Sequence, residues 1–525
     1  MWDSPFGIEW DEGGGAMKLD RTSMLYGTLL LTGTGMLSQA LGFLYRICLS
    51  RLIGAEVMGL YQLVMPVYSV LLSVTAVGLT AAVSNLSAEY HAKGDRGAVS
   101  ALLGRCLALF LALFALAAAM VVPFSDPISV WLLGDARTRL GLVLLLPCVL
   151  LTGVENLHKH YFYGTGCVRP PAAVELCEQF IRAGAVLGLL VLFLPQTAER
   201  TVGLIVLGMT ACELFSALTL LVLVRRSLAG ARPLPGGPDR RALTRRAAAI
   251  ALPVGLTSLL GNLMGAATSV LIPQQLVRAG ADVSTAMSAF GVMCGMTLPM
   301  LSLPTAFIGA LGLTLVPRLA QAAALGRMDL VRRRLDRALQ AVSALVLPAM
   351  ALLAALGPTL GALLFREPAA GDHLPLLAAG MALSCYQAVL SGALNGLGRQ
   401  KTAARNALLA AVAELGGTFL LMSLPGVGLA GYAAAFALSG AVGAWLNWRA
   451  VRAAAGLTAR PFPWLAAPGL AALLAGLAAH VLFRALTLRW GMADLPALGT
   501  AAAFSAVLYL IALRAQGVWP VRRQA

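Results

Sequence analysis

Apolar runs of about 20 residues recur fourteen times between Met24 and Arg514, and no other feature so narrows what this chain can fold into. A run of that length crosses the roughly 30 Å hydrocarbon core of a bilayer as a helix. Inside lipid only helices and closed barrels satisfy their backbone polar groups, and barrel strands would read as short segments of alternating hydropathy. The cores fall near 24–50, 58–84, 99–122, 139–157, 172–195, 201–224, 247–275, 293–317, 338–361, 374–396, 404–424, 428–448, 462–483 and 496–514. Composition agrees: 59% of residues are hydrophobic and 12% charged, against roughly 45–50% and 25% in soluble domains. The fold class read from these runs is an all-α polytopic membrane protein.

The formal charge of +16 has its meaning in where it lies. With the N-terminus placed in the cytoplasm, 29 of the 39 Lys and Arg fall on the inside, 8 outside and 2, Arg46 and Arg182, within helices. The positive-inside rule therefore puts both termini in the cytoplasm of a cell (plasma) membrane protein. The heaviest inside stretches, Arg225 to Arg246 and Arg318 to Arg337, hold seven and six arginines and suit anionic lipid headgroups. A nucleic-acid role has no motif or aromatic support. The eight cysteines show no CxxC and no His pair at zinc spacing, so they read as small core residues and no metal is expected. The opening MWDSPFGIEWDEGGGAM has four acids and no basic residue, whereas Met17 is followed by Lys18 and Arg21. The expectation is that Met17 is the true start.

The chain repeats itself. SAEYHAKGDRGAVSALLGRCLAL from Ser87 aligns with LAQAAALGRMDLVRRRLDRALQA from Leu319, placing Gly94, Val99, Leu103 and Arg105 on Gly326, Val331, Leu335 and Arg337, always 232 residues apart. The same offset superposes Gly164 and Gly166 of YGTGCVRPPAA on Gly396 and Gly398 of NGLGRQKTAAR. A repeat of six helices, an even number, gives two lobes of the same orientation. The expected division is an N-terminal segment 1–23, an N-lobe 24–228, a basic Pro/Gly-rich linker 229–246, a C-lobe 247–456, and a final helix pair with a basic tail, 457–525. That last pair either closes a lipid-facing groove or braces the second lobe.

Polar residues inside the apolar runs are the candidates for function, because a charge at a helix centre costs about 2.5–3.5 kcal/mol on insertion scales. Thr28, Thr32, Gly35, Gln39, Gly42, Arg46 and Ser50 share one face of the first helix. Arg46 has two readings: an ion pair with a carboxylate of another helix (Glu175, Glu178, Glu213 or Glu414), or a ligand contact, for which a guanidinium matches a phosphate bidentately. Arg51 lies near the helix end and reads as an interfacial anchor. Glu178 precedes Arg182 by four residues, a spacing at which the two satisfy each other. The seventh and eighth helices carry Pro253, Pro273, Pro299 and Pro304 among hydrogen-bonding residues that include Asn262 and Gln274, so both are expected to be interrupted and to bend. Gly184/Gly188, Gly261/Gly265 and Gly291/Gly295 have the spacing of close helix packing. Glu414 is the sole carboxylate of its span, and ENLHKHYFYG from Glu155 reads as a solvated, headgroup-contacting turn. No catalytic grouping and no phosphate-cradling GxxxxGK[ST] sequence occurs, so a transporter is expected rather than an enzyme.

The stretch GMLSQALGFLYRICLSRLIGAEVMGLYQLVMPVYSVLLSVTAVGLTAAVSNLSAEYHAKGD, Gly35 to Asp95, together with PRLAQAAALGRMDLVRRRLDRAL and NGLGRQKTAARNALLAAVAE, resembles the stage V sporulation protein B-like branch of the polysaccharide and lipid-linked oligosaccharide flippases, part of the MOP superfamily. The resemblance covers nearly the whole chain. It implies two six-helix lobes around a central cavity that alternates between inward-open and outward-open states, with the last two helices beside a groove for a polyprenyl tail. It implies a lipid-linked saccharide as substrate, membrane lipids and cell-wall synthesis proteins as partners, no cofactor, and coupling to the membrane potential, Na⁺ or H⁺. Arg46, with Gln39, Asn262, Gln274, Arg51 and Arg182, would meet the anionic head, and Glu414, Glu178 and Glu213 are the coupling candidates. The lipid II flippases of the enterobacterial type carry further cavity arginines in the second and eighth helices, where this chain has none, so the glycan stays open. Two other readings are a cation-coupled multidrug or metabolite exporter of the same fold and a non-transporting envelope-assembly scaffold; an integral-membrane glycosyltransferase lacks the catalytic groups.

Overall fold

The computed structural model describes residues 8–9, 18–19, 24–230 and 240–517. The expected start at Met17, most of the 1–23 segment, the centre of the 229–246 linker and the last eight residues lie outside the described residues. Apart from a two-residue pairing of Ile8–Glu9 with Lys18–Leu19, the described chain is helical.

Thirteen helical runs are long and apolar enough to cross a membrane, the first of them, 30–92, spanning 63 residues. That run is two helices. Gly54 sits at φ 76°, ψ 176°, a backbone state open to glycine and outside the helical basin, so α1 (24–53) ends there and α2 (55–92) begins. The others are α3 (Arg96–Val121), α4 (Arg139–Gly164), α5 (Arg169–Phe193), α6 (Ala198–Ser227), α7 (Arg240–Arg278), α8 (Val283–Ala324), α9 (Met328–Phe365), α10 (Leu374–Gly396), α11 (Gln400–Met422), α12 (Leu429–Ala455), α13 (Phe462–Arg489) and α14 (Asp494–Ala515). Fourteen spans result, as the apolar runs require. Helix α7 is unbroken through Pro253 and Pro273, in contrast to the interruption expected there. Helix α8 does change its winding, passing through a π-helical stretch at Val292–Thr297.

The repeat is visible in the backbone. After α2 the amides of Gly94 and Asp95 donate to the carbonyls of His91 and Tyr90, and after α8 those of Gly326 and Arg327 donate to Ala323 and Ala322. After α4, Gly166 and Cys167 donate to Tyr163 and Phe162, and after α10, Gly398 and Arg399 donate to Asn395 and Leu394. Each is a Schellman cap, in which the glycine takes a left-handed conformation and frees the helix end to turn; the four φ values are 70–75°. The sequence repeat at offset 232 is thus a repeat of helix stops.

The chain divides into two compact units, 1–45 with 63–266 and 46–62 with 267–525. In the first, α2, α3, α4, α6 and the start of α7 share a core that includes Val83, Leu102, Phe110, Leu157 and Leu220. Arg246 of α7 bonds Glu89 Oε2 (2.5 Å) and the Tyr90 hydroxyl (2.9 Å) of α2, and Arg105 of α3 bonds Thr244 Oγ1 (2.9 Å). These contacts carry the beginning of α7 into the first unit although the repeat starts a new lobe there.

In the second unit α13 lies along α9. A Cβ on Gly476 would stand 3.0 Å from the Ala351 carbonyl, His480 Nδ1 is 2.8 Å from the Ala355 carbonyl, and Trp464 Nε1 donates to Asp336 (2.6 Å). Apolar clusters around Phe483 with Leu356 and around Tyr509 with Ala475 complete the joint with α14. The last pair therefore braces α9. Of the three expected glycine pairs only Gly291/Gly295 packs closely: a Cβ on Gly291 would come within 2.0 Å of the Ala55 carbonyl, whereas Gly184, Gly188, Gly261 and Gly265 face open space.

Candidate coupling and head-group sites

The most concentrated polar chemistry of the first unit lies between α4, α5 and α6. Glu155 and Lys159 of α4, and Glu178 and Arg182 of α5, are spaced four apart, so each pair shares a helix face. Lys159 Nζ lies 2.9 Å from Glu175 Oε2 and 3.9 Å from Glu155 Oε1. The Arg182 guanidinium is bonded to Glu178 and lies 3.3 Å from Glu213 Oε1. Ser216 donates to Glu178 Oε2 at 3.4 Å. Glu155, Glu178 and Glu213 are 4%, 6% and 3% exposed. Carboxylates so buried persist only with compensating charge and hydrogen bonds, and Arg182 and Lys159 supply the charge.

This cluster corrects one expectation. The stretch from Glu155 is no solvated turn: Glu155, Leu157 and His158 are buried, because α4 continues to Gly164. His158 Nδ1 is 2.6 Å from the Val154 carbonyl and His160 Nδ1 2.8 Å from that of Asn156. Glu155 and Lys159 are therefore site residues that the sequence reading passed over, although their spacing, the same as that of Glu178 and Arg182, was there to be used.

Glu178, Cys212 and Glu213 place one ligand atom each within 4.8 Å of one another. Arg182 already bonds both carboxylates and reaches Cys212. A guanidinium holds the position a metal cation would need, and the donor set does not fit a metal.

The head-group candidates are distributed differently. Asn262 of α7 donates to Ser73 Oγ on α2 at 2.5 Å, tying two helices together. Arg51 donates to the carbonyls of Leu363 (2.5 Å) and Leu364 (2.7 Å) at the C-terminal end of α9, where helix carbonyls lack intrahelical partners and the macrodipole favours a cation. Arg51 and Arg182, both expected at a substrate head, thus have protein partners that account for them. Gln39 is exposed on α1 and Gln274 half-buried on α7.

Arg46 is half-buried on α1. Among the described residues it makes no hydrogen bond and no ion pair; of the four expected carboxylates, Glu175 is engaged by Lys159, and Glu178 and Glu213 by Arg182, and Glu414 forms no ion pair with it. Of its two readings the ion pair is the one the geometry leaves without a partner. Cys294 of α8 lies within electrostatic range of both Arg46 and Glu414. Glu414 is half-buried on α11, where Ser439 of α12 donates to the Ala410 carbonyl at 2.9 Å.

Two family models match this chain. That described as polysaccharide biosynthesis protein matches residues 24–322, and that of the lipid II flippase MurJ matches 182–500. Among characterised proteins, stage V sporulation protein B of Bacillus subtilis (strain 168) is 26% identical over 79% of this chain and 81% of its own. Lipid II flippase MurJ of the same organism is 23% identical over 75% and 76%. Among solved structures, the lipid II flippase MurJ in an inward closed conformation superposes with TM-score 0.67 at 12% identity, covering 94% of this chain and all of that one. An inward-facing multidrug resistance MATE family transporter of the MOP superfamily gives TM-score 0.63 at 16% identity over 82% and 98%. At those identities the structural likeness speaks for the fold, and the family matches, each over more than half of the chain, speak for descent: the chain belongs to the polysaccharide biosynthesis protein and lipid II flippase MurJ families.

Proposed function

We propose that this protein is a flippase that carries a polyprenyl-diphosphate saccharide, a cell-wall or polysaccharide precursor, from the cytoplasmic to the outer leaflet of the cell membrane. The observation that carries the reading is Arg46: a guanidinium in an apolar span, half-buried and, among the described residues, without an ion pair. Such a charge is expensive in a membrane. A diphosphate would repay it through two parallel charge-assisted hydrogen bonds. The saccharide head is hydrated and anionic and needs substitutes for water, while the polyprenyl tail never leaves the lipid.

The family matches support the flippase class. Alternating access is supported by solved relatives described as inward-facing and outward-facing. The same reading places both termini in the cytoplasm by the charge asymmetry of the loops, drives transport by the membrane potential, Na⁺ or H⁺, and sets the protein beside cell-wall synthesis proteins in peptidoglycan or spore-cortex formation.

The test is reconstitution of wild-type and Arg46→Ala protein into liposomes carrying polyprenyl-diphosphate saccharides, with an added enzyme reporting which headgroups become accessible. Protein-dependent exposure that drops at least tenfold in Arg46→Ala, with an unchanged thermal melt, is the expected result. No exposure of any diphosphate lipid, with efflux of cationic drugs instead, would replace the flippase with an exporter.

A further inference from the structure

We propose that the connector between α3 and α4, residues 122–138, is an interfacial membrane anchor whose apolar side lies in the headgroup–acyl boundary of the bilayer. The connector winds through two short helical turns, Ser125–Pro127 and Ile128–Leu132, and its pattern is the reverse of the one water selects. Ser125, Ser129 and Leu133, spaced four apart, are buried, Ser129 completely, while Phe124, Val130 and Trp131 are 56%, 50% and 84% exposed. A helix that meets water turns serines outward and tryptophan inward. The opposite arrangement is stable where the surroundings are apolar, and an exposed apolar patch marks a surface that something covers.

Continuity and charge identify what covers it. Leu116 and Met120 of α3 are exposed on a helix that spans the membrane, so they face lipid. Helical hydrogen bonding runs on past the end of α3, the Val122 and Phe124 amides donating to the Ala118 and Met120 carbonyls at 3.0 and 3.3 Å. Leu116, Met120 and Phe124 therefore form one row along one face, and the lipid-facing surface passes unbroken into the connector. Residues 122–139 hold four charged side chains, and all four are paired: Arg139 with Asp126 at 2.9 Å and Arg137 with Asp135 at 2.7 Å. A patch without net charge is suited to a zwitterionic lipid interface, the layer in which tryptophan is enriched.

The second copy is an internal control. At the offset of 232 residues, α9 runs on as helix to Phe365 and closes with the turn Pro368–Gly371, which packs onto its own unit. Phe365 and Ala370 are buried, and Thr297 Oγ1 donates to the Ala370 carbonyl at 2.9 Å. What that turn leaves exposed is Arg366, Pro368, Ala369 and Asp372, charged or small residues suited to water. The first copy presents Phe124 and Trp131 at the same place. Interfacial aromatic anchors set the depth and tilt of the helices that carry them, so the connector holds α3 and α4 in place against the lipid. With the termini in the cytoplasm, as proposed above, the leaflet is the outer one; the anchoring itself is independent of the cargo.

Two measurements on the full-length protein in phosphatidylcholine vesicles test the anchor. The emission of Trp131 is obtained as the difference between wild type and Trp131→Phe. Phosphatidylcholine brominated on its acyl chains should quench that component at least twofold, with no dependence on added NaCl, and aqueous iodide should quench it far less than free tryptophan. Iodide quenching equal to that of free tryptophan, with no effect of the brominated lipid, overturns the anchor and leaves the patch to a water-borne protein partner. The second measurement uses the wild type alone, so it does not depend on how the variant folds. Phosphatidylcholine carrying an acyl-chain diazirine is photolysed, and peptide mass spectrometry should find adducts both on the α3 turn of Leu116 and Met120 and on the connector around Phe124 and Trp131. Adducts on α3 with none on the connector overturn the proposal.

Discussion

Helices α4–α6 and α10–α12 are copies of one another at an offset of 232 residues, yet their interiors are built from different chemistry. In the first copy Glu155, Lys159, Glu178, Arg182 and Glu213 form a buried charged cluster. In the second, the position of Glu155 is held by Gln387 and that of Arg182 by Glu414. There the junction is neutral: Asn406 Nδ2 donates to Asn447 Oδ1 at 3.0 Å, and Asn447 Nδ2 donates to the Gln387 carbonyl at 3.1 Å. The asparagines are 1% and 0% exposed. The copies conserve where helices stop and turn, and they diverge in what the helices hold between them. A neutral amide network has one protonation state and fastens. A charged one holds its buried carboxylates only while Arg182 and Lys159 stand beside them.

The contrast predicts unequal costs when each junction is cut. Arg182→Ala leaves Glu178 and Glu213 buried without their cation and should destabilise the protein by about 3–5 kcal/mol, read as a lowered melting temperature in detergent. Adding Glu178→Gln and Glu213→Gln should recover much of that loss. A loss below about 1 kcal/mol for Arg182→Ala alone would mean that the cluster is wet and the contrast wrong. Asn447→Ala in the second copy breaks a neutral interhelical bond and should cost about 0.6–1.7 kcal/mol, the range for polar contacts between membrane helices. An equal loss from the two substitutions would erase the distinction.

Smaller still should be the effect of Arg46→Ala on stability. With no ion pair to break it should leave the melt within about 0.5 kcal/mol, the usual span for substitutions away from such features, while flipping falls. A melt lowered as far as by Arg182→Ala would return Arg46 to a structural role. The smallest expected effect is that of an exposed carboxylate outside the spans. Asp282 caps α8 by accepting from the Thr285 amide at 3.0 Å, and hydrogen bonds from the Thr285 side chain first and its amide second hold its pKa below the usual carboxylate value. Its contribution is then present above the unfolded value of about 3.9 and lost as the pH falls through the folded one. Wild-type and Asp282→Ala melts should differ slightly at neutral pH and converge in acid. Convergence at alkaline pH would contradict the cap.

How much could be read in advance differs between the fold and the site. The fourteen spans were legible because a bilayer imposes its thickness on every crossing, and the repeat because Gly94, Gly166, Gly326 and Gly398 answer a backbone requirement that few residues meet. The Glu178–Arg182 pair followed from helical spacing. The place of Glu213 beside that pair did not, because it comes from another helix. Glu155 and Lys159 were misjudged because their closeness to a span end suggested water, whereas α5 and α6 cover them. Arg51 was placed at a helix end, but the carbonyls it meets belong to residues more than 300 positions away.

What the sequence alone determined is the solvent and the scaffold: a lipid bilayer, fourteen helices, a duplicated six-helix unit and the positions where helices end. These follow from local demands, namely apolar length, backbone hydrogen bonding and the conformations open to glycine. Which charges are spent on one another and which are left over was decided by tertiary structure. A carboxylate's fate depends on what stands within about 4 Å of it, and in this chain Arg182, Glu178 and Glu213 are brought together by the packing of α5 on α6, while Arg46 forms no ion pair among the described residues.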